Sequence, residues 1–466
     1  MNSLTIIFGI LFTVLYFFFA YYTRKTKTFE DFSVGNRNIG FLLLFMSISA
    51  TYIGPGFTMG LTSQGYSTGF FYFFMVLGYA LQILLVGLFI APKLRAKFTK
   101  NTYSIGDIIG GTLTHNNVGL KLFSGLISFG LILGFSIVMC SAAVSLLSYF
   151  FGFSPIFSIL IFTSITALYS FTGGMRASIY TDVLQFGVFA TILPALLVFI
   201  FIKQDISFLQ ISEKISQMTT VGFEQSSLLV MIGLILSFTL GELLLPPLVG
   251  RILASKSPSI SKKSFIVSAG FLVFWLLIMF LIGVLGSFAI DSPASDTILL
   301  ELGKTFLPQG LYGIFIVAMI GVIMSSLDSL INYGSTLFTR DIAGIITPSL
   351  LTDDTKQLFI SRIITVFIAI FSGFFAISSP SVLEGLLLCY TLWVPTILVV
   401  LLRSIYSKKL SIIGAYLSMI LGLLTSLVWQ FSSLHEIFPT IIAGLIFSIF
   451  GYLLGYMLDK RTPRRV

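Results

Sequence analysis

The chain has 466 residues, of which 56% are hydrophobic and only 10% are charged. A soluble protein carries about 25% charged residues, so this composition excludes a soluble globular fold. Lysine and arginine number 27 against 18 acidic residues, which gives a net charge of +9. A basic excess of this size is compatible with nucleic-acid binding or with membrane topology, and the positions of the basic residues decide between them.

Apolar stretches recur along the whole chain, each long enough to cross a bilayer as a helix. We therefore predict an all-α polytopic protein of the cell membrane, with a single transmembrane domain over 1–466 and about 13 transmembrane helices. The approximate bounds of these predicted helices are 4–22, 41–64, 70–92, 120–150, 154–172, 180–202, 226–249, 264–289, 308–338, 360–379, 381–402, 410–430 and 436–458.

The first apolar stretch has basic residues after it and none before it. A signal peptide shows the reverse order, so we expect this stretch to remain as a helix with the N-terminus outside. With that orientation, 24 of the 27 basic residues fall in the inside loops, and Arg251 is assigned to the inside loop 251–263. This asymmetry follows the positive-inside rule. The basic charge is therefore explained by topology, and we expect no nucleic-acid partner.

Two predicted helices are interrupted near their middle. The second contains Gly54-Pro55-Gly56, and the seventh contains Gly241-Glu242 followed by Pro246-Pro247. Proline removes a helical hydrogen bond and glycine lets the backbone unwind. Interrupted helices at corresponding places in two halves point to the binding site of a transporter. We therefore predict inverted five-helix repeats at approximately 41–202 and 226–402, with 4–22, 410–430 and 436–458 as additional helices.

The ninth predicted helix contains Ser325-Ser326-Leu327-Asp328-Ser329 at membrane depth. Ionisable groups there are costly and usually mark an ion or substrate pathway. An unwound helix supplies carbonyl oxygens without helical partners, and hard cations prefer oxygen ligands. The candidate carbonyls near the first break are those of Ala50 and Ile53. The alternative is that the serine hydroxyls only bond back to carbonyls of their own helix.

Two further acidic residues lie in or beside predicted helices. Asp182 begins the sixth one, where an ion pair with Arg176 is an alternative to a role in cation binding. Glu242 lies beside the second break without a basic residue near it in sequence. It is therefore protonated, solute-facing or in a water-filled vestibule. The helices that carry these sites contain no lysine that could replace a coupling cation, which favours sodium over protons.

Three segments resemble the sodium:solute symporter family, which includes the sodium/proline and sodium/glucose transporters. SATYIGPGFTMGL is similar to the first core helix of the family. YSFTGGMRASIYTDVLQ resembles its Y-T-x-x-G-G-x-x-A-x-x-Y-T-D-x-x-Q signature, with Phe171 inserted in place of the usual spacing partner. IMSSLDSLINYGSTLFTRDI resembles its M-S-[ST]-x-x-S…ST-x-F-x-x-D-I segment. The resemblance covers essentially the whole chain.

The resemblance implies a LeuT-like five-plus-five fold and sodium-coupled import of a small organic solute by alternating access. That solute is expected to be an amino acid such as proline or a small carboxylate, and Na⁺ is the only expected cofactor, as coupling ion. The first sodium site implied by the resemblance consists of the carbonyls of Ala50, Ile53 and Val322 and the hydroxyls of Ser325 and Ser326.

In some members a second sodium ion uses the positions that match Asp182, Ser325, Asp328 and Ser329. Asp328 stands where those members carry a hydroxyl. A second site in this chain is therefore expected to bind more tightly, to bind a proton, or to be absent.

The solute pocket departs from both named branches of the family. Proline transporters carry an acidic residue at the position of Tyr52 and sugar transporters an Asn, whereas sugar-binding members can place a Gln at the position of Phe57. Both departures make the pocket more aromatic, which weakens a sugar interpretation and favours an amphipathic organic solute. The candidate pocket residues are Phe57, Glu242, Tyr390 and Trp393.

Two other interpretations stay open at this point. A proton-coupled symporter or exchanger of the same fold would titrate Asp182 and Asp328. A membrane sensor that binds solute without moving it is the less favoured one. An enzyme is not expected, because the chain lacks a nucleophile motif and a metal-ligating cluster. The expected partners are the solute, the sodium ion and the lipid bilayer, and the sequence does not indicate an oligomeric state.

Overall fold

The structure, a computed structural model, describes residues 26–98, 101–111, 114, 116–204, 206–291, 296–378 and 382–461, together with four positions between 11 and 18. The first predicted helix, 4–22, therefore lies outside the described residues except at those four positions, which are helical. Within the described ranges the regular structure is helical, apart from a single parallel bridge between Ile39 and Ser255.

We number the helices of the described residues in chain order. They are α1 (Phe29–Val34), α2 (Phe41–Tyr52), α3 (Leu61–Thr68), α4 (Phe71–Lys97), α5 (Ile105–Ile109), α6 (Val118–Phe151), α7 (Pro155–Lys203), α8 (Phe208–Gln225), α9 (Leu228–Leu240), α10 (Pro246–Ala254), α11 (Pro258–Gly286), α12 (Ile298–Phe306), α13 (Gln309–Ile346), α14 (Asp354–Phe375), α15 (Val382–Tyr406), α16 (Ile412–Gln430), α17 (Leu434–Ile437) and α18 (Thr440–Arg461).

Among the described residues, nine helices are long and apolar enough to cross a membrane, or up to eleven if each of two bent pairs counts as one span. Each predicted helix from 41–64 onward coincides with helix in the structure. The all-helical, polytopic class is therefore confirmed, whereas the total of thirteen and the outside N-terminus stay predictions. The helices also extend past the predicted bounds, since α13 continues eight residues beyond Phe338 to Ile346.

Side-chain caps fix where many helices begin. Ser and Asn side chains accept a hydrogen bond from the first helical turn at Asn117, Ser154, Ser257 and Ser411. Such caps satisfy backbone N–H groups that have no partner inside the helix. At α14 the cap is Asp353, which accepts from two backbone N–H groups. This cap starts α14 six residues earlier than predicted.

The long helix α7 combines the fifth and sixth predicted helices around a break at Gly174. Gly174 has φ +58°, and a Cβ at this position would lie 2.7 Å from the Phe32 carbonyl oxygen. Glycine is therefore required both by the left-handed backbone and by the close approach of α1. The signature segment thus bends where α1 packs against it.

Lysine side chains join segments at each end of the bundle. Lys97 Nζ donates to the Ser404 carbonyl (2.7 Å), which joins two predicted inside loops. Lys214 Nζ, in the segment after the sixth predicted helix, donates to the Ser287 carbonyl (3.0 Å) near the end of the eighth. We call the end that holds the predicted inside loops the basic end. Helix α13 runs through the centre of the bundle and is almost wholly buried.

Candidate functional site

The first break separates α2 from α3. Helix α2 ends at Tyr52, Ile53 has φ −87° and ψ +63°, and the chain turns by 66° before α3. The Phe57 N–H, which a continuous helix would direct to Ile53, donates instead to the Gly54 carbonyl (3.1 Å). The predicted break is therefore confirmed, and it releases the Ile53 carbonyl from its regular helical bond.

Two hydroxyls of α13 lie against this break. Ser325 Oγ is 3.1 Å from the Ala50 carbonyl oxygen and 3.0 Å from that of Val322. Ser326 Oγ is 3.3 Å from the Thr51 carbonyl oxygen. The structure thus brings together four of the five residues expected to form the first sodium site. The hydroxyls reach another helix as well as their own, so back-bonding alone does not account for them.

The fifth residue, Ile53, occupies the first non-helical position of the break and is fully buried. The next residue, Gly54, faces α13 closely: a Cβ there would lie 3.0 Å from Ser326 Oγ. That distance is tighter than ordinary van der Waals contact. Glycine at position 54 therefore sets the separation between the break and the serine pair.

A second polar network surrounds Arg251, which lies in α10 and is fully buried. One of its terminal nitrogens, NH2, is 2.9 Å from Asp182 Oδ2 and 2.5 Å from Ser329 Oγ. Its Nε donates to Ser47 Oγ (2.9 Å). Ser47 in turn donates to Asp182 Oδ2 (2.5 Å). A guanidinium therefore lies among the oxygens expected to form the second cation site.

Asp328 belongs to the same network through hydroxyl donors. Its Oδ1 accepts from Ser178 (3.1 Å) and from Ser329 (3.1 Å), and its Oδ2 accepts from Thr181 (3.3 Å). Both donors lie on α7, Ser178 one turn before Asp182 and Thr181 directly before it. The carboxylate that departs from the family pattern is thus held by hydroxyls of the signature segment.

The alternative in which Asp182 pairs with Arg176 is wrong. Arg176 Nε instead lies 2.8 Å from Asp31 Oδ1, near the surface at the basic end, and Asp182 pairs with Arg251. The assignment of Arg251 to an inside loop was also wrong. The apolar run ends near position 249, whereas the helix that restarts at Pro246 continues to Ala254 and buries Arg251.

A cavity of about 20 Å³, roughly the space of one water molecule, lies beside the first break and extends to the second. Its wall includes Tyr52, Phe57, Phe135, Glu242 and Ser326. Two of the four predicted pocket residues, Phe57 and Glu242, therefore line it. The cavity shares Ser326 with the candidate sodium site, so the two sites are adjacent.

Glu242 lies in the turn that separates α9 from α10. Its Oε1 accepts from the Tyr390 hydroxyl (2.6 Å), and its Oε2 lies 2.8 Å from the Tyr79 hydroxyl. The Glu242 N–H donates to Gln82 Oε1 (3.2 Å). Tyr390 thus contributes to the pocket by holding Glu242. Trp393, three residues further along α15, is buried and is not in the described wall of this cavity.

A third cluster of charged side chains lies at the basic end of the bundle. The sequence predicted no role for it. Lys121 Nζ is 2.6 Å from Asp107 Oδ1, and Arg340 Nε is 3.3 Å from Asp107 Oδ2. Ser104 Oγ donates to Asp341 Oδ1 (2.5 Å). Burial alone would raise the pKa of Asp107, but Arg340 and Lys121 hold this pKa below its ordinary value. The cluster ties α5 to α6 and to the end of α13.

The profile of the sodium:solute symporter family matches residues 32–422. The chain belongs to this family. Its relatives include the "Sodium/pantothenate symporter" of Haemophilus influenzae, 25% identical over 96% of this chain and 95% of that protein. The "Sodium/proline symporter" of Escherichia coli is 24% identical over 94% of this chain and 91% of its own length.

Solved structures agree on the fold. A Na⁺-coupled sialic acid symporter in an outward-open state superposes with a TM-score of 0.84 at 18% identity, over 98% of both chains. A nucleobase-cation-symport-1 family transporter superposes with a TM-score of 0.60 at 12% identity, over 92% of this chain and 94% of that chain. The LeuT-like fold is thus confirmed. At the level of its family, the chain is a sodium-coupled solute symporter and a multi-pass protein of the plasma membrane.

Proposed function

We propose that the protein imports a small organic solute with Na⁺ by alternating access. The proposed sodium ligands are the carbonyls of Ala50, Ile53 and Val322 and the hydroxyls of Ser325 and Ser326. The contacts of 3.0–3.3 Å between these hydroxyls and the carbonyls at the break support the proposal. Each Na⁺ that crosses 100 mV contributes about 2.3 kcal/mol, or roughly 40-fold accumulation of solute.

The observation that carries the proposal is the position of Ser326. Its hydroxyl lies against the first break, and its side chain also lines the cavity that contains Phe57 and Glu242. An ion that ties α13 to the break therefore also fixes one wall of the solute cavity. This shared wall gives a direct physical route by which sodium occupancy can change solute affinity.

We further propose that a single Na⁺ accompanies each solute. The guanidinium of Arg251 lies among Asp182 and Ser329, where a second cation would need its ligands. Two unit charges 4 Å apart repel by about 4 kcal/mol at an effective dielectric constant of about 20. Arg251 thus acts as a fixed cation that takes the place of a second sodium ion, with Asp182, Ser329 and Ser47 as its partners.

The solute itself is proposed to be an amino acid such as proline or a small carboxylate. The names of the relatives support this range, because one is a proline symporter and another a pantothenate symporter. The aromatic wall formed by Tyr52, Phe57 and Phe135 supports a solute with apolar as well as charged parts. We propose Phe57, Glu242 and Tyr390 as the residues that bind or shape the site for it.

The test is solute uptake into proteoliposomes under an imposed Na⁺ gradient, repeated with K⁺. We expect accumulation in Na⁺ only. Changing Ser325→Ala together with Ser326→Ala should abolish it, because both hydroxyl ligands are lost. Ser335→Ala is the matched control, since Ser335 is buried on the same helix and donates to the Asn332 carbonyl of its own helix. Uptake that is equal in K⁺, or that survives the double change, would contradict the proposal.

A further inference from the structure

The wall of the solute cavity carries one acidic group among aromatic rings. Resting on the proposed transport function, we propose that the transported solute carries a positively charged nitrogen that binds at Glu242 beside Tyr52, Phe57 and Phe135. The chemical class is a small organic cation or zwitterion with an ammonium group. This narrows the range of solutes left by the proposed function, because a small carboxylate without a positively charged nitrogen is excluded.

Glu242 is a buried acidic residue. Its side chain is only 6% exposed and lies in the unwound turn between α9 and α10. A carboxylate at this depth is costly unless a cation or hydrogen-bond donors compensate it. The donors seen around its two oxygens are the hydroxyls of Tyr390 and Tyr79. Such hydrogen bonds favour the ionised carboxylate and fix its orientation.

The tyrosine hydroxyls around Glu242 have fewer protons to donate than there are acceptor oxygens within hydrogen-bond distance of them. The Tyr79 hydroxyl lies 2.8 Å from Glu242 Oε2 and also 2.8 Å from the Tyr52 carbonyl oxygen. A phenol has one proton to donate, so one of these two acceptors needs a donor from elsewhere. An ammonium group in the cavity would supply both a positive charge and, where it is protonated, a hydrogen-bond donor.

The wall of the cavity is also rich in aromatic rings. Tyr52, Phe57 and Phe135 line the cavity together with Glu242. The ring of Phe57 is stacked on that of Tyr79, with centroids 3.6 Å apart and an angle of 12° between the planes. The faces of aromatic rings attract cations, and aromatic walls recognise ammonium groups in this way. The rings therefore act in the same direction as the carboxylate.

The same wall disfavours other solutes. An anionic group at Glu242 would meet a like charge without water to screen it. A sugar needs a polar partner for most of its hydroxyls, because unpaired buried polar groups are costly. The described wall offers few polar side chains besides Glu242, namely Thr51 and Ser326 and the hydroxyl of Tyr52. A positive nitrogen on a compact apolar body matches the charge and the apolar character of this wall.

Isosteric pairs of solutes test the inference, with the purified full-length protein in Na⁺ and in K⁺. The pairs are choline with 3,3-dimethylbutan-1-ol, glycine betaine with 3,3-dimethylbutanoate, and proline with cyclopentanecarboxylate. Calorimetry or thermal shift gives the affinity of each member. We expect at least one nitrogen-bearing solute to bind in Na⁺ at least about tenfold more tightly than its isostere, a difference of the size assigned to one charged contact.

Variants connect this preference to the site. In Glu242→Gln, the affinities for the nitrogen-bearing solute and for its isostere should become nearly equal, so that their ratio approaches one. Na⁺ should still stabilise this variant in the thermal-shift measurement. Glu384→Gln, at an exposed position at the start of α15, is the matched control and should leave the ratio unchanged. If Glu242→Gln does not fold, Tyr390→Phe replaces it, because this change removes one hydroxyl that orients the carboxylate and should lower the ratio several-fold.

Three results would overturn the inference: equal binding of the isosteres, an unchanged ratio in the folded Glu242 or Tyr390 variant, or failure of every nitrogen-bearing solute to bind in Na⁺. Solute binding that prefers the charged nitrogen but is equal in Na⁺ and K⁺ would instead contradict sodium coupling. The comparison of isosteres therefore tests the charged-nitrogen proposal, and the comparison of Na⁺ with K⁺ tests sodium coupling.

Discussion

The two broken helices present opposite solutions to the same problem of unwound backbone inside a membrane. At the first break, neutral carbonyls of α2 meet the neutral hydroxyls of Ser325 and Ser326. After the second break, α10 carries the guanidinium of Arg251 into the carboxylate of Asp182. On the proposed function, one arrangement offers neutral oxygen ligands to a mobile ion, whereas the other contains its own fixed cation. The comparison therefore predicts that a set of oxygens takes up a transported cation only where the protein does not supply a cation of its own.

The largest expected effect comes from removing the fixed cation. Arg251→Met leaves Asp182 buried without its partner, and breaking a buried ion pair in this way costs about 3–5 kcal/mol. Thermal unfolding of the purified protein should show a large loss of stability. Added Na⁺ should restore more stability in this variant than in the parent protein, because the oxygens around Asp182 become available to an ion.

The matched control is Arg176→Met, since Arg176 pairs with Asp31 where both side chains are partly exposed. Exposed pairs contribute about 0–1 kcal/mol, so this change should have little effect. Equal stability of the two variants would show that Arg251 does not compensate Asp182. If Na⁺ raises the thermal stability of Arg251→Met and of the parent protein equally, Na⁺ does not take the place of the missing guanidinium. That result would contradict the proposal that Arg251 stands in for a second sodium ion.

A smaller effect is expected at the basic end. Asp107→Asn leaves Lys121 and Arg340 without the carboxylate they share, which should cost about 1–3 kcal/mol. The lowered pKa of Asp107 means that its ion pairs stabilise the fold fully above the ordinary value of about 3.9. This contribution is lost as the pH falls through the lower pKa of the folded state.

The unfolding temperatures of the parent and Asp107→Asn, measured between about pH 8 and pH 3, test this sign. Their difference should be constant near neutral pH and should shrink only in acid. The Na⁺ concentration for half-maximal uptake should not change, because the cluster lies away from the sodium site. A stability difference that already disappears near pH 6 would show that Asp107 is not held ionised by its cations.

The smallest change tests the geometry of the first break. Gly54→Ala places a methyl group 3.0 Å from Ser326 Oγ, so the serine must shift by a few tenths of an ångström. We expect stability to fall by about 1 kcal/mol and Na⁺ affinity to fall about tenfold. Gly40→Ala at the start of α2 is the control, because a Cβ there meets nothing within 4 Å. Unchanged Na⁺ affinity in Gly54→Ala would show that the first break is not part of the sodium site.

The first break could be predicted from the sequence because its cause is local. Gly54-Pro55-Gly56 interrupts an apolar run, and the backbone bonds of a helix cannot continue through it. The polar cluster at Ser325 was equally visible, since each hydroxyl there is conspicuous in an apolar helix. Local composition therefore identified both halves of the candidate sodium site before their contact was known.

Arg251 could not be predicted in the same way. Its partner Asp182 is 69 residues away, and the two come together because α10 and α7 both pack against α13. The available signal was Pro246-Pro247, because proline favours the first turn of a helix and indicates a restart that runs past position 249. The role of Tyr79 was likewise hidden, since one tyrosine among 18 has no local feature that connects it to Glu242.

The central claim is that one cation is mobile and the other is fixed, and the ratio of Na⁺ to solute tests it most directly. Co-uptake of ²²Na⁺ and labelled solute into the same proteoliposomes gives this ratio without assumptions about affinity. The account predicts one sodium ion per solute in the parent protein. A ratio of two, with Arg251 intact, would contradict it.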